Sequence, residues 1–228
     1  MDRYIVAAEK SWHREFFAER IASLGGLWTY VARREDLTPE LVARVAPRYV
    51  FFPHWSHIVP DSILAQTECV CFHMTDLPYG RGGSPLQNLI VRGHETTRLT
   101  ALRMTGELDA GPIYEKRALS LHGSAEQIFR RAAALTWDMI ADMIERTPEP
   151  VAQKGAATLF HRRKPEDGDL AQVDTLAAVY DYIRMLDAEG YPPAFLRKGD
   201  LVFEFGAAEL TDDEIAAKVR IRRVRDQQ

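Results

Sequence analysis

The sequence predicts an α/β fold with a Rossmann-like, mostly parallel sheet, a main domain over residues 1–150 and a small helix-and-strand appendage over 151–228. Three observations carry this. Short apolar runs alternate with amphipathic helical segments through the first half, which argues a parallel sheet covered on both sides. The run at 48–52 (RYVFF) is apolar enough to be buried on both faces, as central parallel strands are. The character changes after 150, where the chain turns polar and rich in turn residues.

Taken in order, residues 3–8 (RYIVAA) read as the first strand. Ser11 can cap a helix carrying Phe16, Phe17, Ile21 and Leu24, ended by Gly25 and Gly26. Residues 27–31 form the second strand; Thr38 and Pro39 start a helix with Leu41, Val42 and Val45; residues 48–52 are the third strand. Asp61 can cap a short helix through Ile63 and Leu64, and 68–73 is the fourth strand. On that strand Cys69, Cys71 and His73 share a face, because side chains alternate. Pro78, Gly80, Gly82 and Gly83 then force a turn, Pro85 opens a helix with Leu86, Leu89 and Ile90, and Gly93 ends it. Residues 99–104 read as another strand and 105–111 as the loop after it. Strands ending in a histidine and an aspartate suggest a site at the carboxyl edge of the sheet.

Ser124 and Gln127 make a capping box for a long helix whose stripe of Ile128, Phe129, Ala132, Leu135, Met139 and Met143 is core. Beyond a polar stretch at 160–168, residues 174–189 read as a helix, 201–205 as a strand, and Thr211 to Glu214 as a second capping box. Residues 219–225 (VRIRRVR) are either a final strand or a solvated basic end, the commoner state of a charge run.

Composition excludes several classes. The 228 residues carry 29 Lys and Arg against 33 Asp and Glu, a net charge of -4, which is not the balance of a nucleic-acid binder. No stretch approaches the apolar length of a membrane span, and the N-terminus lacks a signal-peptide pattern. The two cysteines, at 69 and 71, read as reduced thiols of a cytoplasmic protein. The first turn, Ala8-Glu9-Lys10-Ser11, lacks the glycine fingerprint of a dinucleotide site. His54 and His57 lack a third metal ligand, so no metal is expected.

The stretch 69–111 resembles the family of formyltransferases that use 10-formyltetrahydrofolate. The family pattern runs Asn-x-His, Leu-Pro, Arg-Gly, Pro, Gly, Thr-Gly-x-Thr and Leu-Asp-x-Gly. This chain presents His73, Leu77-Pro78, Arg81-Gly82, Pro85, Gly93, Thr97, Thr100, Met104 and Leu108-Asp109-Ala110-Gly111 in that order. It departs at Cys71, where the family has Asn, and at Arg98, where it has Gly. The resemblance implies formyl transfer to an amine through a tetrahedral oxyanion, which needs a donor for the developing charge and a route for the amine proton.

His73 and Asp109 take those roles by motif position, with the carboxylate favouring the charged imidazole. Cys71 stands in the Asn position as a weak donor, and Asn88 is the candidate replacement amide. Cys71 with His73 also admits a thiolate-nucleophile reading, which the surrounding motif opposes. For the cosubstrate, the resemblance implies a pocket between the loops at 53–60 and 105–109, drawing on Phe52, His54, Trp55, Ile58, Met104, Thr105, Gly106 and Leu108. Trp55 either stacks on a flat heterocycle there or packs beneath its loop. Thr75, Arg81 and Gly82 are expected at the acceptor; Arg81 either neutralises an anion or braces the turn.

Residues 160–168 and Tyr191-Pro-Pro-Ala-Phe195 resemble the tail of amino-sugar formyltransferases, so the expected acceptor is a nucleotide-linked amino sugar for surface glycans. The alternatives are an aminoacyl-tRNA, a glycinamide ribonucleotide, or a non-catalytic ligand-binding homologue. No nucleic-acid partner and no membrane are expected, and the reading allows a homodimer.

Overall fold

A computed structural model describes residues 1–224. The chain divides into two compact units, each described by itself. The first comprises Met1–Gly82, Thr97–Leu119 and Arg130–Leu159; the second comprises Gly83–Thr96, Ser120–Phe129 and Phe160–Gln228.

The first unit is built on a six-stranded sheet of order β2-β1-β3-β4-β6-β7. Its strands are β1 (Arg3–Ala7), β2 (Leu27–Val31), β3 (Tyr49–Pro53), β4 (Glu68–His73), β6 (Thr96–Arg103) and β7 (Ile113–Ser120), with the short β5 (Arg81–Gly82) between β4 and β6 in sequence. β1 runs parallel to β2 and β3, and β3 parallel to β4. The expected α/β fold with a mostly parallel sheet is what forms. Every residue of β3 is buried, as its unbroken apolar run requires. One face carries Ile5, Ala7, Val50, Phe52 and Cys69, packed against Val42 of α2 (Pro39–Val45) and Ile63 of α3 (Asp61–Leu64). Thr38 caps α2 by accepting the Leu41 N–H at 3.2 Å.

Several local expectations are corrected. Lys10, not Ser11, occupies the N-cap position of α1 (Ser11–Arg20) and makes no side-chain capping bond, and the helix's buried residues are Trp12 and His13, not the Phe16 and Phe17 stripe, which stays half-buried. Pro60, not Asp61, occupies the cap of α3. β7 has no counterpart in the sequence reading: its interior positions are only half-buried and its polar and apolar residues do not alternate cleanly. β6 runs antiparallel to β4, pairing Thr100 with His73 and Arg103 with Val70. Its carboxyl end therefore lies at the opposite end of β4 from His73.

In the second unit, α4 (Pro85–Ile90) is buried almost throughout. The capping box forms as expected: the Ser124 N–H donates to Gln127 Oε1 at 3.0 Å and the Gln127 N–H to Ser124 Oγ at 3.4 Å. It opens α5 (Ala125–Arg146), whose later turns belong to the first unit. Of the expected stripe only Leu135 is not fully buried.

After β8 (Leu159–Phe160), the 174–189 helix is shorter than expected, α6 (Leu176–Arg184), because Thr175 supplies the cap. β9 (Ala194–Lys198), β10 (Leu201–Leu210) and β11 (Ile215–Arg223) make an antiparallel sheet of order β11-β10-β9. Thr211 to Glu214 is a hairpin turn, not a helix cap: the Thr211 N–H donates to the Glu214 carbonyl at 2.9 Å. The basic run forms the last strand, with its residues exposed from Val219 to Arg223 and its last residue Arg225 lying outside the described residues. Among the described residues no helix is long and apolar enough to cross a membrane.

Candidate active site

The site grows from the end of β4. His73 is buried, on the sheet face it shares with Cys69 and Cys71, and the turn that follows wraps around its ring. Its Nε2 lies 2.7 Å from the Gly80 carbonyl. A carbonyl only accepts, so Nε2 carries the hydrogen and Nδ1 is the nitrogen left to exchange a proton. Nδ1 lies 3.6 Å from Asp109 Oδ2, with both side chains about nine-tenths buried (exposures 9% and 11%). The separation is beyond a hydrogen bond but well inside the range of a strong charge interaction.

Asp109 reaches His73 although β6 points the other way, because the loop after β6 folds back. Met104 opens it with an N–H bond to the Cys69 carbonyl at 2.8 Å. Gly111 closes it: a Cβ there would lie 1.8 Å from the Arg103 carbonyl oxygen, so only glycine passes. Asp109 sits at φ +52, a left-handed conformation that Asp tolerates better than most residues. Its Oδ2 also accepts the Gly82 N–H at 2.9 Å, and Gly82 has φ +106. His73, Gly80, Gly82 and Asp109 are thus brought together.

Cys71 keeps some exposed surface, but its sulfur lies among protein atoms. Burial, and then the charge of Asp109, push its thiol well up. Cys69 is pushed up to about 12, by burial and then Glu68. Both are therefore protonated thiols, which speaks against a thiolate nucleophile. Arg98, the other departure from the family pattern, lies 3.7 Å from Asp76 on the turn after His73.

The remaining expected residues divide. Asn88 is not free to serve as the oxyanion donor. Its Nδ2 hydrogens face the carbonyls of Gly83 (3.0 Å), Ser84 (3.0 Å) and His161 (2.9 Å), so its donors are consumed by backbone. Thr75 is buried and donates to the Gly80 carbonyl at 3.3 Å, shaping the turn. Arg81 braces the turn, bonding Gln153 Oε1 at 2.8 Å and Glu107 at 3.4 Å.

Phe52 is a buried member of one apolar cluster against which Trp55, Cys71 and Met104 pack, so the two loops expected to hold the cosubstrate share a base. Trp55 packs edge-on against Phe52, and its indole N–H is buried without an acceptor. Ile58 (75% exposed) and Leu108 (59%) are bare apolar side chains on those loops. Thr105 donates to the Glu107 carbonyl at 3.1 Å and Gly106 is open to its surroundings.

His54, at φ +52, sets its ring against Trp12 at 5.6 Å and His13 at 6.3 Å. Burial and then Lys10 lower it to about 3, so it is neutral. His57 instead pairs with Glu9 at 3.0 Å. No group of three or more His, Cys, Asp or Glu among the described residues is placed to hold a metal ion.

A solved structure of a methionyl-tRNA formyltransferase from Clostridium thermocellum matches 98% of this chain and 100% of that one, at 43% identity and a TM-score of 0.93. The chain belongs to the formyltransferase family. Residues 165–222 match the family profile described as methionyl-tRNA formyltransferase, C-terminal domain. A curated methionyl-tRNA formyltransferase from Sulfurovum sp. is 30% identical over 171 residues, 72% of this chain and 55% of that protein. The chain thus spans little more than half of that relative's length. A sugar N-formyltransferase from a Shewanella species shares the fold alone, at 14% identity and a TM-score of 0.66 over 88% of this chain and 94% of that one. The expected membership of the formyltransferase family holds, while the amino-sugar enzymes are more distant from this chain than the methionyl-tRNA formyltransferases. Tyr191 to Phe195 and the end of the 160–168 stretch fall inside the segment matched by the tRNA-enzyme profile.

Gln153, the Gly80 carbonyl and the tight passage at Gly111 were not singled out in the sequence. A glycine in Leu-Asp-x-Gly signals a tight passage without naming its neighbour. A carbonyl and a loop glutamine leave no sequence signal.

Proposed function

We propose that the chain transfers a formyl group from 10-formyltetrahydrofolate to the amino group of an aminoacyl-tRNA. The observation that carries the chemistry is the buried His73–Asp109 pair, with Nε2 of His73 tied to the Gly80 carbonyl and Nδ1 turned to the carboxylate. In this reading the amine nitrogen attacks the formyl carbon and the carbonyl electron pair moves to oxygen. His73 takes the amine proton at Nδ1, Asp109 stabilises the imidazolium, and the N–H so formed serves the oxyanion. On collapse the bond from the formyl carbon to the donor nitrogen breaks and that nitrogen is protonated, releasing tetrahydrofolate. Cys71 adds a weak thiol donor.

The cosubstrate fits the residues present. Trp55 offers a buried indole N–H lacking an acceptor, and Ile58 and Leu108 offer bare apolar surface for a flat heterocycle. Residues 1–150 would carry this chemistry and 151–228 the acceptor contacts. Lys218 and Arg220 share an exposed face of β11 and suit phosphate oxygens, so the reading brings in a nucleic acid that the overall charge does not suggest.

The relatives support the tRNA acceptor, through the 43% identical full-length match and the profile over 165–222. The acidic balance, 33 Asp and Glu against 29 Lys and Arg, favours a second reading, a nucleotide-linked amino sugar. The deciding experiment offers 10-formyltetrahydrofolate with methionyl-tRNA and with a panel of amino-sugar nucleotides, and follows formyl gain by mass spectrometry. Formylation of sugars alone overturns the tRNA reading; formylation of neither overturns the activity.

A further inference from the structure

Gln153 lies on the segment after α5, away from every motif that resembles the family. The antiparallel bridge between Ile113 and Val151 holds that segment beside the Asp109 loop, with both N–H···O distances at 2.8 Å. The same segment binds the turn after His73: the Arg81 N–H donates to the Thr158 carbonyl at 2.9 Å and the Thr158 N–H to the Pro78 carbonyl at 3.2 Å. Gln153 sits between the two. Its Nε2 donates to the carbonyls of Asp109 at 2.8 Å and Gly111 at 2.9 Å. Its Oε1 accepts from Arg81 Nε at 3.2 Å and Nη2 at 2.8 Å. Both amide hydrogens and both lone pairs of the oxygen are thereby used. The orientation is unambiguous, since a flipped amide would set its oxygen against two carbonyls and its hydrogens against a guanidinium.

We propose that Gln153 is a positioning residue for catalysis, clamping the main chain of Asp109 to the Arg81 turn so that the Asp109 carboxylate faces His73 Nδ1. Asp109 sits at φ +52, a left-handed conformation that Asp tolerates but that is less favourable than the ordinary right-handed regions, so partners are needed to hold it. The Gly82 N–H fixes the carboxylate from one side. Gln153 fixes the backbone from the other, and through Arg81 it steadies the turn whose Gly80 carbonyl sets the His73 tautomer. Loss of the clamp frees both halves of the pair without touching either. The inference rests on the formyl-transfer reading for its catalytic meaning, and on geometry alone for the positioning.

The test compares Gln153→Ala, Gln153→Met and Gln153→Glu. Glu keeps an acceptor for Arg81 but sets a carboxylate against two carbonyls, so it rescues a bracing role and not a clamping one. Misplacement of a catalytic group by about 1 Å costs on the order of 100-fold, so the expected result is a kcat roughly 10- to 100-fold lower in all three. KM for the formyl donor should stay within about threefold, since the donor is not held by this side chain.

A second readout needs no turnover: the imidazole 15N shifts of His73 should move in the variants, as its Nδ1 loses its fixed carboxylate. Gln153→Met preserves volume should Gln153→Ala fail to fold. Wild-type kcat in Gln153→Glu, or unchanged His73 shifts in folded variants, would overturn the proposal. If the wild-type protein transfers no formyl group, the functional reading fails and the His73 shifts alone decide the positioning.

Discussion

Replacing Asp109 by Asn separates the charge of this carboxylate from its hydrogen bond. The amide oxygen can still accept the Gly82 N–H, now at 2.9 Å, so the loop keeps its anchor. What disappears is a negative charge 3.6 Å from His73 Nδ1, in a pair about nine-tenths buried. At an effective dielectric near 20, unit charges at that distance attract by roughly 4–5 kcal/mol. At about 1.4 kcal/mol per factor of ten, full loss of this stabilisation in the transition state lowers kcat by about three powers of ten. Residual water near the pair trims this, so a fall of about 100- to 1,000-fold is expected. The assay is turnover under saturating formyl donor and acceptor, with thermal melting run in parallel. A folded Asp109→Asn enzyme with kcat within threefold of wild type would refute the claim that this charge supports the imidazolium.

Gly111→Ala should destabilise the protein severely, because its Cβ would fall 1.8 Å from the Arg103 carbonyl oxygen; a Tm within a degree or two of wild type by calorimetry would count against the tight-passage account. In native protein at pH 8, Cys69 and Cys71 should resist iodoacetamide, since burial holds both as thiols; stoichiometric alkylation seen by mass spectrometry would contradict this. His13 and His54 are lowered chiefly by burial, His54 to about 3. The unfolded imidazoles take up protons near pH 6.5 while the folded ones do not, so stability is full above about 6.5 and falls as the pH drops below it, for His54 down to about 3, by up to about 1.4 kcal/mol per pH unit for each histidine. Urea unfolding between pH 7 and 5 measures it, and a flat profile would refute the neutral assignment. If a tRNA is the acceptor, its KM should rise with salt, and Lys218→Glu with Arg220→Glu should raise it further while KM for the formyl donor stays unchanged; salt-independent KM would argue for a small acceptor.

Much was legible because local rules sufficed. The alternation of apolar runs and helices fixed the parallel half of the sheet, and β2 and β4 fell where their patterns put them. The Ser124 and Gln127 cap is a contact over three residues, visible in any reading of the chain. The frame from His73 to Gly111 named the two residues the structure brings together. What the sequence could not decide depends on distant partners. The direction of β6 reversed the expected route to Asp109, since register and direction come from the neighbouring strand and not from the strand's own composition. Asn88 was a plausible donor until three carbonyls, one of them 73 residues away, claimed its amide. Gln153 is one polar residue in a loop until folding sets it 2.8 Å from the Asp109 carbonyl, 44 residues distant. Sequence determines which groups are available for chemistry. Only tertiary structure determines which of their hydrogen bonds are already spent, because burial compels each polar group to take whatever partner the fold brings.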